Sequence, residues 1–107
     1  MIAPTPRLLR YAGGRLEVDL AARTVRVDGR AVAMTRAEYA LTAYLAARPR
    51  QLFPRAVLAE QVWPGQHSAA EVTEHIRRIR RRLGALAPIS TVQGVCYRWD
   101  LPLEAGR

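Results

Sequence analysis

The sequence has no lysine, a single cysteine and no long apolar run. The one cysteine, Cys96, excludes internal disulfide bonds and suggests a reducing, cytoplasmic compartment. No stretch approaches the ~20 apolar residues of a membrane-spanning helix. Residues 1–7 also lack the long apolar segment of a signal peptide. These absences predict a protein that does not contact or cross a membrane and that stays in the cytoplasm.

Because lysine is missing, all 17 basic residues are arginines, and with nine acidic residues they give a net charge of +8. A GC-rich genome favours arginine and alanine codons, so most of these arginines need no functional explanation. The net charge still favours an acidic partner. Half of the 107 residues are apolar, which is enough for one modest core. We expect a single domain over residues 1–107 with its core at about 8–101.

No residue pattern indicates catalysis, because a Ser/His/Asp order, a P-loop and a pocket of paired carboxylates are all missing. His75 has only His67 and Cys96 as companions for a zinc ion, which disfavours a metal site. We interpret Cys96 as a spacer, with a redox sensor as the less favoured alternative. The sequence therefore predicts neither an enzyme nor a bound cofactor.

The first third of the chain has the pattern of a small antiparallel sheet. Apolar side chains alternate with acidic ones, as in a half-buried strand, at Leu16, Val18 and Leu20. Asp28-Gly29 is a strong signal for a tight turn between the following strand and a strand at 31–34. With an earlier strand at 8–11, this segment is predicted to form a four-stranded meander.

Two helices are predicted in the middle of the chain. Thr35 and Glu38 have the spacing of a capping box, which satisfies free N–H groups at a helix start. A short bridging strand is expected at Leu52-Phe53. Pro54 is expected at the first position of the second helix, where its missing N–H does no harm. That helix should end after Trp63, at a Pro-Gly pair.

The third helix, at about 69–83, is the most informative segment. Its buried stripe consists of Val72, Ile76, Ile79 and Leu83. The opposite face carries Ala70, Glu71, Glu74, Arg77, Arg78 and Arg81, with Arg80 and Arg82 on the flanks. Such a helix is shaped to lie against a polyanion. An apolar hairpin at 89–99 follows, and residues 102–107 are expected to be a frayed tail.

The predicted fold is α+β: a winged helix-turn-helix with an N-terminal four-stranded antiparallel sheet, three helices and a C-terminal β-hairpin wing. At this level the chain resembles the DNA-binding effector domain of OmpR/PhoB-type response regulators. The matching segments are Asp28-Gly29 before a strand, Met34–Tyr39 for L-T-x-x-E-[FY], Leu58–Trp63 for L-x-x-x-V-W, His75–Leu83 for H-I-x-x-L-R-x-K-L, and Thr91–Arg98 for T-V-R-G-x-G-Y-R.

The resemblance implies a sequence-specific regulator of bacterial transcription that binds double-stranded DNA. The third helix would lie in the major groove and the wing at the minor groove. Arg78 would contact bases, whereas the other arginines and His75 would mostly contact phosphates. The candidate DNA-binding residues are Trp63, Glu74, His75, Arg77, Arg78, Arg80, Arg81, Arg82, Thr91, Gln93, Tyr97 and Arg98. The resemblance also implies head-to-tail dimers on direct repeats and a contact with RNA polymerase through the loop before the third helix.

The chain departs from the family pattern at several positions. Gln93 replaces a wing arginine, Cys96 replaces a glycine, and Ala70-Glu71 replaces a common Arg-Thr pair. The loop at 64–68 looks shorter than usual, which weakens the expectation of a polymerase contact. The chain contains no receiver domain, so it is either an excised effector domain or a regulator without one.

Two other functions stay open at this point. Glu71, Glu74 and the uncharged wing tip favour a winged helix that binds a protein. Charge alone favours a nonspecific binder of RNA or nucleoid DNA. For Glu74, an intrahelical ion pair with Arg77 or Arg78 is the favoured role, and acceptance of a hydrogen bond from cytosine is the alternative.

Overall fold

The computed structural model describes residues 8–104. An N-terminal antiparallel sheet contains, in spatial order, β1 (Leu8–Tyr11), β2 (Leu16–Asp19), β3 (Thr24–Val27) and β4 (Arg30–Val32). Then follow α1 (Arg36–Ala46), β5 (Leu52–Pro54), α2 (Arg55–Val62), α3 (Ala69–Leu83), β6 (Ile89–Val92) and β7 (Cys96–Trp99). The predicted α+β winged helix-turn-helix is confirmed. The expectation for residues 1–7 lies outside the described residues.

The N-terminal sheet forms because alternating side chains of β2 and β3 are buried against the helices. Leu16 and Val18 of β2 and Val25 of β3 are almost completely buried, and Val18 pairs directly with Val25. Asp28 and Gly29 both have positive φ, of 51° and 81°, as a two-residue hairpin turn requires. β4 ends two residues earlier than predicted, because the chain already turns there towards the cap of α1.

The capping box at the start of α1 is present as predicted. The Glu38 amide donates to Thr35 Oγ1, and the Thr35 amide donates to Glu38 Oε1, both at 3.1 Å. This cap fixes where the helix begins. The inner side of α1 then buries Leu41 and Leu45 in the common core.

The predicted bridging strand extends the wing into a sheet of three strands, ordered β5-β7-β6. Pro54 belongs to β5, opposite Cys96, and caps α2 with an extended ψ of 145°. Its predicted place as the first helical residue is therefore wrong by one position. The pairing of β5 with β7 continues past Pro54, because the Arg55 amide donates to the Val95 carbonyl at 3.1 Å. This hydrogen bond keeps Pro54 in an extended conformation.

An aromatic pair joins the two sheets. Trp99 at the end of β7 and Tyr11 at the end of β1 are fully buried, with ring centroids 5.1 Å apart. The Tyr11 hydroxyl donates to the carbonyl of Ala46 at the end of α1. The base of the wing is therefore fixed to the N-terminal sheet and to α1.

The segment after β7 returns to the first sheet. The Glu104 amide donates to the Arg10 carbonyl at 3.0 Å, and the Glu104 carboxylate accepts from the Gly13 amide. The expected frayed tail is wrong for residues 102–104, and residues 105–107 are not described. The tail is ordered because the outer edge of β1 offers backbone groups that no strand pairs.

Candidate nucleic-acid interface

The third helix is positioned by a cap that the sequence interpretation missed. The Ser68 side chain accepts from the Glu71 amide, and Glu71 Oε1 accepts from the Ser68 amide at 2.8 Å. The backbone hydrogen bond from Ser68 is the main reason that the pKa of Glu71 is lowered. The signal was the same S/T-x-x-E spacing that identified the first cap. Glu71 is thus a helix-capping residue.

The predicted helix bounds and buried stripe are both confirmed. Val72, Ile76, Ile79 and Leu83 are each no more than 2% exposed. α3 ends before Gly84, whose φ of 59° favours glycine. The helix is therefore held along its whole length, and its opposite face is set rigidly toward solvent.

That outer face presents three arginines and one engaged carboxylate. Arg77, Arg78 and Arg81 are exposed. Glu74 pairs with Arg77, and its oxygen lies 4.0 Å from Arg78. The hydrogen bond from Arg77 is the main cause of the lowered pKa of Glu74. Among the described residues, Arg81 forms no ion pair. The three arginines outnumber Glu74, so the face is cationic.

Arg80 faces the wing and links it to α3. Its Nη2 donates to the Ile89 carbonyl at 3.1 Å and to Thr91 Oγ1 at 2.8 Å. Its guanidinium also lies 5.8 Å from the centre of the Tyr97 ring. Arg80, Thr91 and Tyr97 were all predicted to meet DNA, and the structure brings them together between helix and wing.

Arg82 contacts α1 while its side chain stays partly exposed. Its Nε lies 2.7 Å from Oε1 of Glu38, a fully buried carboxylate. The side chain of Arg82 is 36% exposed. An ion pair of this kind holds the end of α3 against the start of α1.

The wing has a tight tip and a well-anchored base. Gln93 and Gly94 form the tip with φ of 54° and 74°, and Gln93 is exposed. The buried Tyr97 donates through its hydroxyl to Thr73 Oγ1 at 3.4 Å. Thr73 also accepts from Arg55 Nη1 at 3.1 Å. Sequence motifs did not indicate this junction of wing, α2 and α3, because its partners are far apart in the chain.

Arg98 lies on the other side of the wing sheet, near its base. Its Nε donates to Asp100 Oδ1 at 2.7 Å. Ser90 donates to the other carboxylate oxygen of Asp100. Arg98 is therefore partly neutralised, as Arg77 is by Glu74, whereas Arg81 forms no ion pair among the described residues.

Three aromatic rings cluster where the loop at 64–68 meets α3. The ring centroids of Trp63 and His67 are 4.5 Å apart, those of Trp63 and His75 are 5.1 Å apart, and those of the two histidines are 5.3 Å apart. Burial, followed by the neighbouring His67, lowers the pKa of His75. At neutral pH His75 is thus an uncharged donor. Within residues 8–104, no group of three metal-binding side chains is close enough to hold an ion.

The arrangement is suited to a nucleic acid. A guanidinium fork can donate to guanine O6 and N7 together, whereas single donations to phosphates supply affinity and register. Within the described part of the chain, no helix is long and apolar enough to cross a membrane.

The sequence comparisons identify related proteins. The family described as "Transcriptional regulatory protein, C terminal" matches residues 29–99. The chain is also similar to the DNA-binding response regulator MtrA of Mycolicibacterium smegmatis, with 36% identity over 95 residues that cover 83% of this chain and 42% of MtrA. The chain spans about two fifths of the length of the curated relatives it matches.

Solved structures share the fold. The response regulator DrrB of Thermotoga maritima, described as an OmpR/PhoB homologue, matches with a TM-score of 0.77 and 26% identity over 90% of this chain and 45% of its own. The DNA-binding domain of RstA from Klebsiella pneumoniae, solved in complex with the RstA box, matches with a TM-score of 0.71 and 24% identity over 89% of this chain and 98% of its own.

Proposed function

The chain belongs to the OmpR/PhoB-type family of C-terminal domains of transcriptional regulatory proteins, and on that premise we propose how it contacts DNA. α3 enters the major groove of a sequence-specific site, and the wing lies at the adjacent minor groove. The observation that carries this proposal is the rigidly held outer face of α3 with its exposed Arg77, Arg78 and Arg81.

Arg78 is the proposed base-contacting residue. Its side chain is 50% exposed and only loosely paired with Glu74 at 4.0 Å, so both edges of the guanidinium fork can turn to a guanine. Arg77 and Arg81 flank it on the same face and suit the phosphates on either side of the groove. His75 joins them as a neutral donor.

Arg80 and Arg82 are proposed to position α3 through contacts within the protein. The hydrogen bonds of Arg80 to Ile89 and Thr91 fix the angle between helix and wing. Arg82 is engaged with buried Glu38. We therefore leave Arg82 out of the set of direct phosphate contacts and assign it to the position of α3.

The family also suggests how the domain assembles with its partners. We propose that two copies bind direct repeats head to tail in the cytoplasm. The exposed loop residues Pro64–Gln66 are the proposed contact with RNA polymerase, because His67 packs against Trp63 and holds the loop outward. Glu71 and Glu74, which favoured a protein-interaction module, are engaged within α3 and give that alternative no support.

Selection from a random duplex library tests the proposal. We expect enrichment of a short sequence, which a footprint should then show protected in the major groove under α3. Binding without enrichment would favour the nonspecific binder. No duplex binding in low salt would contradict the proposal and leave the protein-interaction module or an RNA binder.

A further inference from the structure

A cavity of about 340 Å³ lies next to the aromatic cluster described above and shares Trp63 and His67 with it. Three elements form it: the turn between β2 and β3, the start of α1, and the loop between α2 and α3. The residues that line it are Arg23, Arg36, Ala37, Ala40, Trp63, Gln66 and His67. Since a water molecule occupies ~30 Å³ of liquid, there is room for a much larger group, such as a sugar-phosphate unit.

The lining includes two arginines, Arg23 and Arg36, as its positively charged residues. Within residues 8–104, neither Arg23 nor Arg36 forms an ion pair. Trp63 is only 6% exposed. Among residues 8–104, no carboxylate lines the cavity. Two arginines that form no ion pair and share a cavity without a carboxylate favour an anionic ligand, because hydrogen bonds between a charged donor and a charged acceptor are the stronger ones.

The remaining lining is apolar and preformed. Ala37, Ala40 and the Trp63 ring supply carbon surface suited to a deoxyribose. Arg23 has a left-handed φ of 57°, and its guanidinium lies 5.5 Å from the centre of the Tyr39 ring. The contact with the Tyr39 ring therefore already holds the Arg23 guanidinium in place without a ligand.

The cavity also adjoins the proposed DNA-contacting face. His67, which lines the cavity, stacks near His75 of α3, and His75 is three residues before Arg78. In helix-turn-helix proteins the N-terminal part of the recognition helix contacts base edges, so elements next to it face the flanking backbone. The position of the cavity thus selects DNA backbone over a free anion.

We propose that Arg23 and Arg36 bind a DNA backbone phosphodiester that flanks the sequence contacted by α3. The inference rests on the proposed function and extends its contact surface beyond α3 and the wing. Because a phosphate contact carries no sequence information, this site contributes equally to specific and random duplex.

Neutral substitutions test the site on the most enriched duplex. Arg23→Gln and Arg36→Gln should each weaken binding about tenfold and reduce the salt slope by at most about 0.9, because the two arginines share one phosphate. Arg30→Gln is the matched control, because Arg30 is an exposed arginine of the same half of the chain and does not line the cavity. It should bind like wild type. Thermal unfolding should be the same in all four proteins, since the three side chains lie at the surface.

A scan with single uncharged methylphosphonate linkages locates the partner phosphate. A methylphosphonate at one flanking position should weaken wild-type binding at least as much as Arg36→Gln does, and its effect on that variant should be smaller than its effect on wild type. Wild-type affinity in both cavity variants, or no position whose effect is smaller in them than in wild type, would overturn the proposal. If inorganic phosphate shifts the NMR signals of Trp63 and Gln66 while both variants keep wild-type DNA affinity, the cavity binds a free anion and the DNA assignment is wrong.

The same measurements separate this inference from the proposed function. Equal wild-type affinity for enriched and random duplex contradicts sequence-specific binding. A retained preference with unchanged cavity variants contradicts only the phosphodiester site.

Discussion

Nε of Arg82, near the end of α3, lies 2.7 Å from Oε1 of Glu38, a fully buried carboxylate in α1. The same Glu38 oxygen accepts from the Thr35 amide and completes the cap of α1. The Glu38 carboxylate therefore caps the start of α1 and also binds the end of α3. This relationship makes the orientation of α3 depend on α1.

Removal of the Arg82 side chain should mainly destabilise the fold. Arg82→Ala leaves the Glu38 charge buried without its cation, which we expect to lower the free energy of unfolding by about 2 kcal/mol, less than for a fully buried pair because Arg82 is partly exposed. Arg81→Ala, one position earlier and unpaired, should change it by less than about 0.5 kcal/mol. Urea unfolding of both variants measures these changes in the free energy of unfolding. Equal stabilities of the two variants would show that the ion pair between Arg82 and Glu38 does not stabilise the fold.

Arg78 and Arg81 should differ in what they contribute to DNA binding. Arg78→Ala should cost about 1–3 kcal/mol on the enriched duplex and much less on random duplex, because a bidentate contact to a base discriminates sequence. Arg81→Ala should weaken both by the same factor. Titration of each variant against both duplexes measures this difference. An equal loss on both duplexes for Arg78→Ala would make Arg78 a phosphate contact and shift the register of α3 along the groove.

The wing tip should gain affinity from a positive charge. Gln93 is exposed at the turn, and its uncharged amide can still donate to A N3 or T O2. Gln93→Arg should steepen the salt slope by about 0.9 and add a preference for A·T pairs under the wing, where a narrow groove concentrates negative potential. The check is binding by both proteins to duplexes varied only at those pairs. Unchanged affinity and preference would mean that the wing tip stays outside the groove.

His75 should make stability depend on pH in the weakly acidic range. Its pKa is lowered from the ordinary 6.5 by burial and then by His67 and Arg78, although Glu38 and Glu71 oppose this. The unfolded chain thus binds the proton more readily than the folded one. The contribution of neutral His75 to the free energy of unfolding is therefore present above pH 6.5 and is lost as the pH falls below that value.

His75→Gln tests this assignment. The loss of unfolding free energy between about pH 7.5 and 5.5 should be smaller in the variant than in wild type. The lowered pKa values of Glu71 and Glu74 place their effects at more acidic pH, and both proteins share them. An identical pH dependence in the two proteins would assign the effect to other groups.

Local signals in the sequence predicted most of the fold. The Thr35-Glu38 cap, the Asp28-Gly29 turn and the buried stripe of α3 each depend on residues within a few positions of one another. The tail along β1 could not be predicted, because it depends on Glu104 meeting Arg10 across the fold.

The candidate site was predictable to the same extent. Helical spacing placed Arg77, Arg78 and Arg81 on the outer face, as the structure has them. It could not show that Arg80 and Arg82, on the flanks, turn towards the wing and α1, since their partners come from distant segments. The cavity at Arg23 and Arg36 was missed for the same reason.

The affinity of the unmodified protein for enriched and random duplex, measured between 50 and 200 mM salt, tests the central claim most directly. We predict that log K falls linearly with log salt on both duplexes, with a slope of about −4 for four or five phosphates. The enriched duplex should stay preferred, by about 1000-fold or more. Equal affinity for the two duplexes, or binding that salt does not weaken, would contradict the claim that the arginine face of α3 binds DNA in a sequence-specific manner.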